Sequence, residues 1–198
     1  MMSADGRRLY FISNRPRDPE ATEPADFDIW YVERDGDGWG PEINVGAPVN
    51  SPGNEYFVSL TDDGDVFFAS DRAEPDGGFR ALDIYEAKWN EVGYQEPVRL
   101  DHAVNSPYYD ADPFISRDGR TLIFASVRPG GLGRGDLYVS RRGEDGVWSG
   151  AESAGSAINT AGHELCPTLT PDGRFLLYTG EQEIRWISMD AVGRGPGI

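Results

Sequence analysis

Four times along its 198 residues the chain repeats a short hydroxyl-led phrase ending in Asp-Gly: Ser3-Ala4-Asp5-Gly6, Thr61-Asp62-Asp63-Gly64, Ser116-Arg117-Asp118-Gly119 and Thr170-Pro171-Asp172-Gly173. The copies lie 58, 55 and 54 residues apart. A period of that length marks stacked supersecondary units, none able to bury its apolar face alone.

The neighbours of each Asp-Gly recur too. Thirteen residues before it stand Asn50, Asn105 and Asn159, each followed by Ser or Thr; eight before it stand Glu55, Asp110 and Glu164. After it comes an alternating apolar run, Leu9/Phe11, Val66/Phe68, Leu122/Phe124 and Leu176/Tyr178. Three copies close this run with Ser13-Asn14-Arg15, Ser70-Asp71-Arg72 and Ser126-Val127-Arg128, then reach Asp28-Ile29-Trp30, Asp83-Ile84-Tyr85 and Asp136-Leu137-Tyr138. A Gly-rich turn and an aromatic follow: Trp39, Tyr94 and Trp148.

Short period-two runs bounded by Asp-Gly and Gly-rich punctuation read as strands, and no helical stripe competes. The first strand of a unit covers 55–61, 110–116 and 164–170. The second covers 7–13, 65–70, 121–126 and 174–179, and the third 28–34, 83–89 and 136–142. The fourth follows Trp39, Tyr94 or Trp148. Asp-Gly between strands one and two suits a two-residue hairpin. Four antiparallel strands per repeat make one propeller blade. The fold class is therefore all-β, a β-propeller of four antiparallel four-stranded blades.

These residues resemble the WD40-like repeat of TolB-type β-propellers, whose motif runs N-[ST]-x-x-x-E, S-x-D-G-x-x-L-x-F-x-S-x-R, then D-[IL]-Y. Asn105 through Tyr138 carry nearly every position. The resemblance spans almost the whole chain and implies a scaffold found in periplasmic TolB, in envelope proteins with peptidoglycan-binding domains, and in the propellers that gate prolyl-oligopeptidase-like enzymes. It implies a periplasmic or extracellular setting; residues 1–10 have no hydrophobic signal segment, which leaves a cytoplasmic one open.

The fourth copy departs from the pattern. Gly180 and Gln182 replace Ser and Arg, and Glu183-Ile184-Arg185-Trp186 stands where Asp-Ile-Tyr is expected. Met1 and Met2 leave no room for an innermost strand before Ser3. The strand tally is three, four, four and three, so the first and last blades are incomplete. One propeller domain is expected over 1–190, with blade repeats at about 3–50, 51–105, 106–159 and 160–190, and a flexible tail over 191–198. Unpaired strand edges invite pairing. Closure within one chain, membership of a larger propeller, and a homodimer through the incomplete end blades are all open.

With 34 acidic and 18 basic residues the net charge is −16. Such a field repels nucleic acid and anionic membranes, whose phosphates need compensating Lys or Arg. No 18-residue apolar run is present, so no membrane insertion is expected. Asp35-Gly36-Asp37-Gly38 and Asp62-Asp63-Gly64-Asp65 place carboxylates on turns without the distant bidentate Glu of a calcium loop. His102, His163 and Cys166 cannot assemble a tetrahedral zinc set without carboxylates. No metal and no cofactor is expected.

Catalytic signatures are thin as well. Cys166, the single cysteine, reads as a buried small hydrophobe, and His163, three residues away on an alternating strand, should point to the opposite face. No nucleophile, base and orienter come together, so no catalytic residue and no enzymatic activity is expected. The recurring polar positions read as structural: Glu55, Asp110 and Glu164 pairing with Arg15, Arg72 and Arg128, with Asp28, Asp83 and Asp136 anchoring loop backbone. Recognition is expected on the loops after strand two, at Asn14, Asp71, Phe79 and Arg134. The leading functional expectation is a non-catalytic scaffold binding a protein or peptide partner; the alternative is the accessory or gating propeller of a hydrolase, or a glycan-binding module.

Overall fold

The computed structural model describes residues 1–18, 20–72 and 81–192. Four antiparallel sheets follow one another along the chain as the four blades of a β-propeller. The first contains β1 (Arg8–Ser13), β2 (Asp28–Asp35), β3 (Gly38–Trp39) and β4 (Ile43–Asn44). The second runs β5 (Glu55–Leu60), β6 (Val66–Ser70), β7 (Asp83–Ala87), β8 (Val98–Arg99) in spatial order, and the third β9 (Asp110–Ile115), β10 (Thr121–Ser126), β11 (Asp136–Arg141), β12 (Glu152–Ser153). The fourth has three strands, β13 (Glu164–Leu169), β14 (Phe175–Gly180) and β15 (Glu183–Ser188).

The end blades are incomplete in different ways. In the first, β3 and β4 both pair with β2, and β4 occupies the outermost position. Its innermost position is held by a stub: Met2 bridges Leu9, and the Met1 amino group donates to Tyr10 O at 2.7 Å. In the fourth, Gly180 pairs with Glu183 as Ser70 pairs with Asp83, so Glu183 takes the station of the recurring Asp. Ala191 ends a 3-10 turn, and Val192, 7% exposed, packs in the core between blades 3 and 4. The fold thus includes two residues expected in the tail; residues 193–198 lie outside the described residues.

The Asp-Gly turns are longer than the expected two-residue hairpin. In the third blade Ser116 N donates to Thr121 O and Gly119 N to Ser116 O, which leaves four residues between the paired ends. The Ser116 hydroxyl reaches Asp118 Oδ1 at 2.5 Å, and that oxygen also accepts Arg120 N at 3.0 Å. Asp therefore caps the turn through its side chain, while Gly119 at φ +69° supplies the left-handed step. Loops of this length are built around such turns.

Successive blades bury their facing sides against each other. Tyr10 and Ile29 of blade 1 cluster with Phe68 and Tyr85 of blade 2. Phe67 and Ile84 meet Phe124 and Tyr138 of blade 3, whose Ile123 and Leu137 meet Leu176 and Tyr178 of blade 4. Within a blade, alternate strand residues thus serve alternate neighbours. Burying one such aromatic or branched side chain is worth about 1.5–3 kcal/mol.

The repeated Asn sews one unit to the next. Asn105 Oδ1 accepts Ile84 N at 2.8 Å, and its Nδ2 donates to Ile84 O and Leu100 O at 2.9 and 2.8 Å. Asn50 does the same to Ile29, and Asn159 to Leu137. All three are buried, and each holds the third strand of a blade to the segment that leads into the next.

Candidate functional site

The innermost strands β5, β9 and β13 carry one irregularity at matching positions. Phe57, Asp112 and Cys166, each two residues after the recurring acid, lie at φ +56°, +53° and +52°. The ladder to the second strand shifts register at each. These are β-bulges on edge strands. A left-handed non-glycine residue costs of order 1–3 kcal/mol, and three blades carry one.

The bulges bring their residues to a cavity of about 260 Å³, whose wall includes Phe57, Asp112, Pro113, Cys166, Pro167 and Met1. Asp112 is 4% exposed. Its Oδ2 accepts the Cys166 amide at 2.7 Å, yet no Arg or Lys among the described residues pairs with it. Burial raises its carboxyl above the ordinary range, against lowering by hydrogen bonds from Cys166 and the field of His163. Burial, then the Asp112 charge and its hydrogen bond, push the Cys166 thiol up to about 11. Cys166 is exposed, which corrects the expectation of a buried hydrophobe: the bulge turns it out of the regular ladder. The register shift between Leu165 and Thr168 interrupts the alternation at Cys166 itself, and His163, one residue before β13, bridges Gly135.

Most buried carboxylates have guanidinium partners. Glu55 receives Arg72 at 3.1 Å with the Ser51 and Ser70 hydroxyls at 2.6 and 2.9 Å. Burial still raises its carboxyl above the ordinary range. Asp110 receives Arg128 at 2.7 Å. Arg15 reaches no innermost-strand acid and pairs with exposed Glu42 at 2.7 Å. Glu164 is held by the Thr160 amide and hydroxyl at 3.1 and 2.6 Å. Among the recurring Asp, Asp28 binds Arg17 at 2.5 Å and Asp83 binds Arg99 at 2.7 Å. Asp136 alone of these three takes a loop amide in the contacts described, Gly133 N at 3.2 Å.

The loop-face positions are less uniform. Asp71 accepts Asn54 N and Nδ2 at 2.6 and 2.9 Å, so its carboxylate clamps the segment entering β5. Asn14 and Arg134 are exposed, each tied down through its backbone: Ala25 N donates to Asn14 O, and Arg134 N to Gly162 O. Phe79 lies outside the described residues. β6 and β10 end where β5 and β9 begin, and Glu55 N donates to Phe27 O beside the end of β1, so these loops lie at the end of the innermost strands that holds Asp112.

At the opposite end, a cleft of about 460 Å³ between blades 1 and 2 is lined by Arg8, Tyr10, Glu33, Trp89 and Tyr94 among others. Its inward groups are already matched: Arg8 binds Glu33 at 2.8 Å and lies 4.8 Å over the Tyr31 ring, and the Tyr10 and Tyr94 hydroxyls are 3.2 Å apart. Among the described residues no cluster of His, Cys, Asp or Glu is arranged to hold a metal, and Asp65 of the second Asp-rich turn instead accepts Trp89 N at 2.9 Å.

Sequence reasoning passed over Asp112, but a signal was present. Pro113 and Pro167 stand inside β9 and β13, and proline within a sheet is confined to edges, first positions and bulges.

No family model matches the sequence, and no curated protein matches it. Solved structures do resemble the fold. A protein assigned as TolB from Agrobacterium tumefaciens superposes with a TM-score of 0.64 at 19% identity, covering 96% of this chain and 61% of that one. A gluconolactonase from Xanthomonas campestris gives 0.57 at 16% identity, over 93% and 54%. An α-L-arabinofuranosidase from Lactobacillus brevis gives 0.56 at 16%, over 90% and 63%. The chain spans less than two thirds of each, and at these identities the likeness is one of fold.

Proposed function

We propose that this chain is a non-catalytic propeller of the WD40-like, TolB-type repeat family that binds a protein or peptide partner, with a cationic group of the partner seated at Asp112. The observation that carries this reading is the carboxyl of a residue 4% exposed, on a cavity wall, without an Arg or Lys among the described residues. A lone buried carboxylate is expensive, and an incoming ammonium or guanidinium relieves that cost in a site of low dielectric. The net charge of −16 favours the approach of a basic partner. Exposed Asn14 and Arg134 rim the same end and supply polar contacts to the rest of such a partner.

The reading extends to an envelope setting, periplasmic or extracellular, on the strength of the likeness to TolB. It assigns no chemistry to the chain. A nucleophilic cysteine needs a depressed pKa, and here the thiol beside Asp112 is pushed up to about 11.

The test is capture from a bacterial envelope extract with wild type, Asp112→Asn and Asn14→Ala/Arg134→Ala as baits. Captured proteins are then reduced to peptides with a single Lys, Arg or norleucine for titration. Loss of capture with Asp112→Asn, and of binding with norleucine, is expected. Equal capture by all three baits refutes the proposal. A hydrolase and lactonase screen in which His163→Ala abolishes an activity refutes its non-catalytic part.

A further inference from the structure

The three blade-to-blade interfaces share one plan; its forward half is uncovered on blade 4, and its backward half recurs on blade 1, where Phe11 is half-buried and Trp30 6% exposed. The forward half is built from alternate residues of strands two and three. Ala69 lies opposite Ile84 in blade 2, and Ala125 opposite Leu137 with Ile123 opposite Val139 in blade 3. In blade 4 the same stations are Thr179 opposite Ile184 and Leu177 opposite Trp186. There they are not covered: Ile184 is 79% and Trp186 69% exposed. Phe175 and Trp186 stack edge to face at 5.3 Å beside a wholly apolar cavity of about 280 Å³ lined by Thr170, Phe175, Leu177 and Trp186.

The backward half is an aromatic pair under an arginine. Arg72 lies 5.1 and 4.9 Å over Phe68 and Tyr85, and Arg128 5.2 and 4.7 Å over Phe124 and Tyr138. Each also donates to a carbonyl of the preceding repeat, Arg72 to Val49 O and Arg128 to Val104 O, both at 2.5 Å. Blade 1 has the same stack, with Arg15 at 5.3 and 5.5 Å over Phe11 and Trp30. The Arg15 side chain, 38% exposed, holds half-exposed Glu42.

We infer that the forward face of blade 4 receives the backward face of blade 1 from a second copy of this chain, head to tail. The apolar stations on blade 4 are those that meet a Phe–aromatic–Arg stack at two interior interfaces, and blade 1 presents such a stack. The contact is heterologous, using different surfaces on the two copies. At −16 per chain the copies repel one another, so association strengthens with salt, opposite to an ion-pair interface.

The test is absolute mass in solution by light scattering on a sizing column, for the whole chain and for Trp186→Glu, Phe11→Glu and Ile184→Asp, with far-UV circular dichroism to check folding. Ile184, largely exposed, provides a second variant if Trp186→Glu fails to fold. Wild type should exceed the 21.8 kDa of one chain, increasingly with concentration and salt, and each folded variant should return to that mass. An equimolar mixture of Trp186→Glu and Phe11→Glu should form a species of twice the single mass, because one intact forward face meets one intact backward face. A wild type that stays at one chain's mass at its highest soluble concentration overturns the inference. So does association indifferent to both blade-4 substitutions, or a mixture that stays monomeric.

Discussion

Replacing Asn105 by Ala removes a side chain that is 2% exposed and bridges two repeats through three hydrogen bonds. The losses are unequal. Ile84 O keeps Leu100 N as a donor at 3.0 Å, and Leu100 O loses one donor. Ile84 N, pointing to the same side as its own carbonyl, is left buried with no acceptor, which costs about 1–3 kcal/mol. Two further bonds at about 0.5–1.5 kcal/mol each, partly recovered by relaxation, bring the total to about 3 kcal/mol. For a chain of this size each kcal/mol moves the midpoint by about 2–4 °C, so a drop of about 6–12 °C is expected. Thermal and urea unfolding followed by tryptophan fluorescence read it, with exposed Gln95→Ala as the control within about 0.5 kcal/mol. Asn50→Ala and Asn159→Ala should fall in the same range, since each breaks the same pair of bonds to the preceding third strand. A loss below about 1 kcal/mol at all three sites, with an unchanged urea slope, refutes the idea that these amides hold the repeats together.

Three further outcomes follow from the polar network. Arg128→Ala strands fully buried Asp110 and should cost about 3–5 kcal/mol, whereas Arg15→Ala, whose partner Glu42 is half exposed, should cost under about 1 kcal/mol; equal urea midpoints would refute the distinction. Cys166 alkylation should be about 100-fold slower at pH 8 than for an unperturbed thiol, rise with pH toward a midpoint of about 11, and speed up in Asp112→Asn, which removes the nearby negative charge; a profile unmoved by that substitution would refute the assigned cause. The Asp112 carboxyl is raised in the fold, so its contribution is fully present below the unfolded carboxylate range and is lost as pH rises through the folded value. Asp112→Asn should therefore gain stability relative to wild type near pH 7 and lose that gain in acid; urea midpoints at several pH values check the sign.

The blades were legible because each apolar run repeats its inward positions with a fixed offset from Asp-Gly, and a strand exposes its period directly. Strand ends fell within about two residues for the same reason. The turn length was misread because Asp-Gly is shared by two-residue hairpins and by longer turns, and the Ser116 to Thr121 closure depends on side-chain capping. Cys166 was misplaced because period two assumes an unbroken ladder. Pro113 and Pro167 mark where the ladder breaks, but they recur in two repeats only, and Val58 takes the corresponding place in β5.

That last difference bears on how the cavity at the bulges is built. Phe57, Asp112 and Cys166 share a backbone conformation within 4° in φ, and no two share a side-chain chemistry. At the stations that hold the repeats together the opposite applies: Asn50, Asn105 and Asn159 are identical, and Glu55, Asp110 and Glu164 are all acids. A position whose backbone geometry repeats while its side chain varies is set by the scaffold and open to specialisation, the division expected of recognition residues on a rigid frame. Asp112 adds a second cost to the bulge, a buried carboxyl without a guanidinium, although the bond its Oδ2 accepts from the Cys166 amide needs only an uncharged acceptor. A charge kept where the fold needs only a neutral acceptor is the pattern of a binding position. On the proposed reading, recognition falls on the bulges of the innermost strands, with the outer loops as the rim around them.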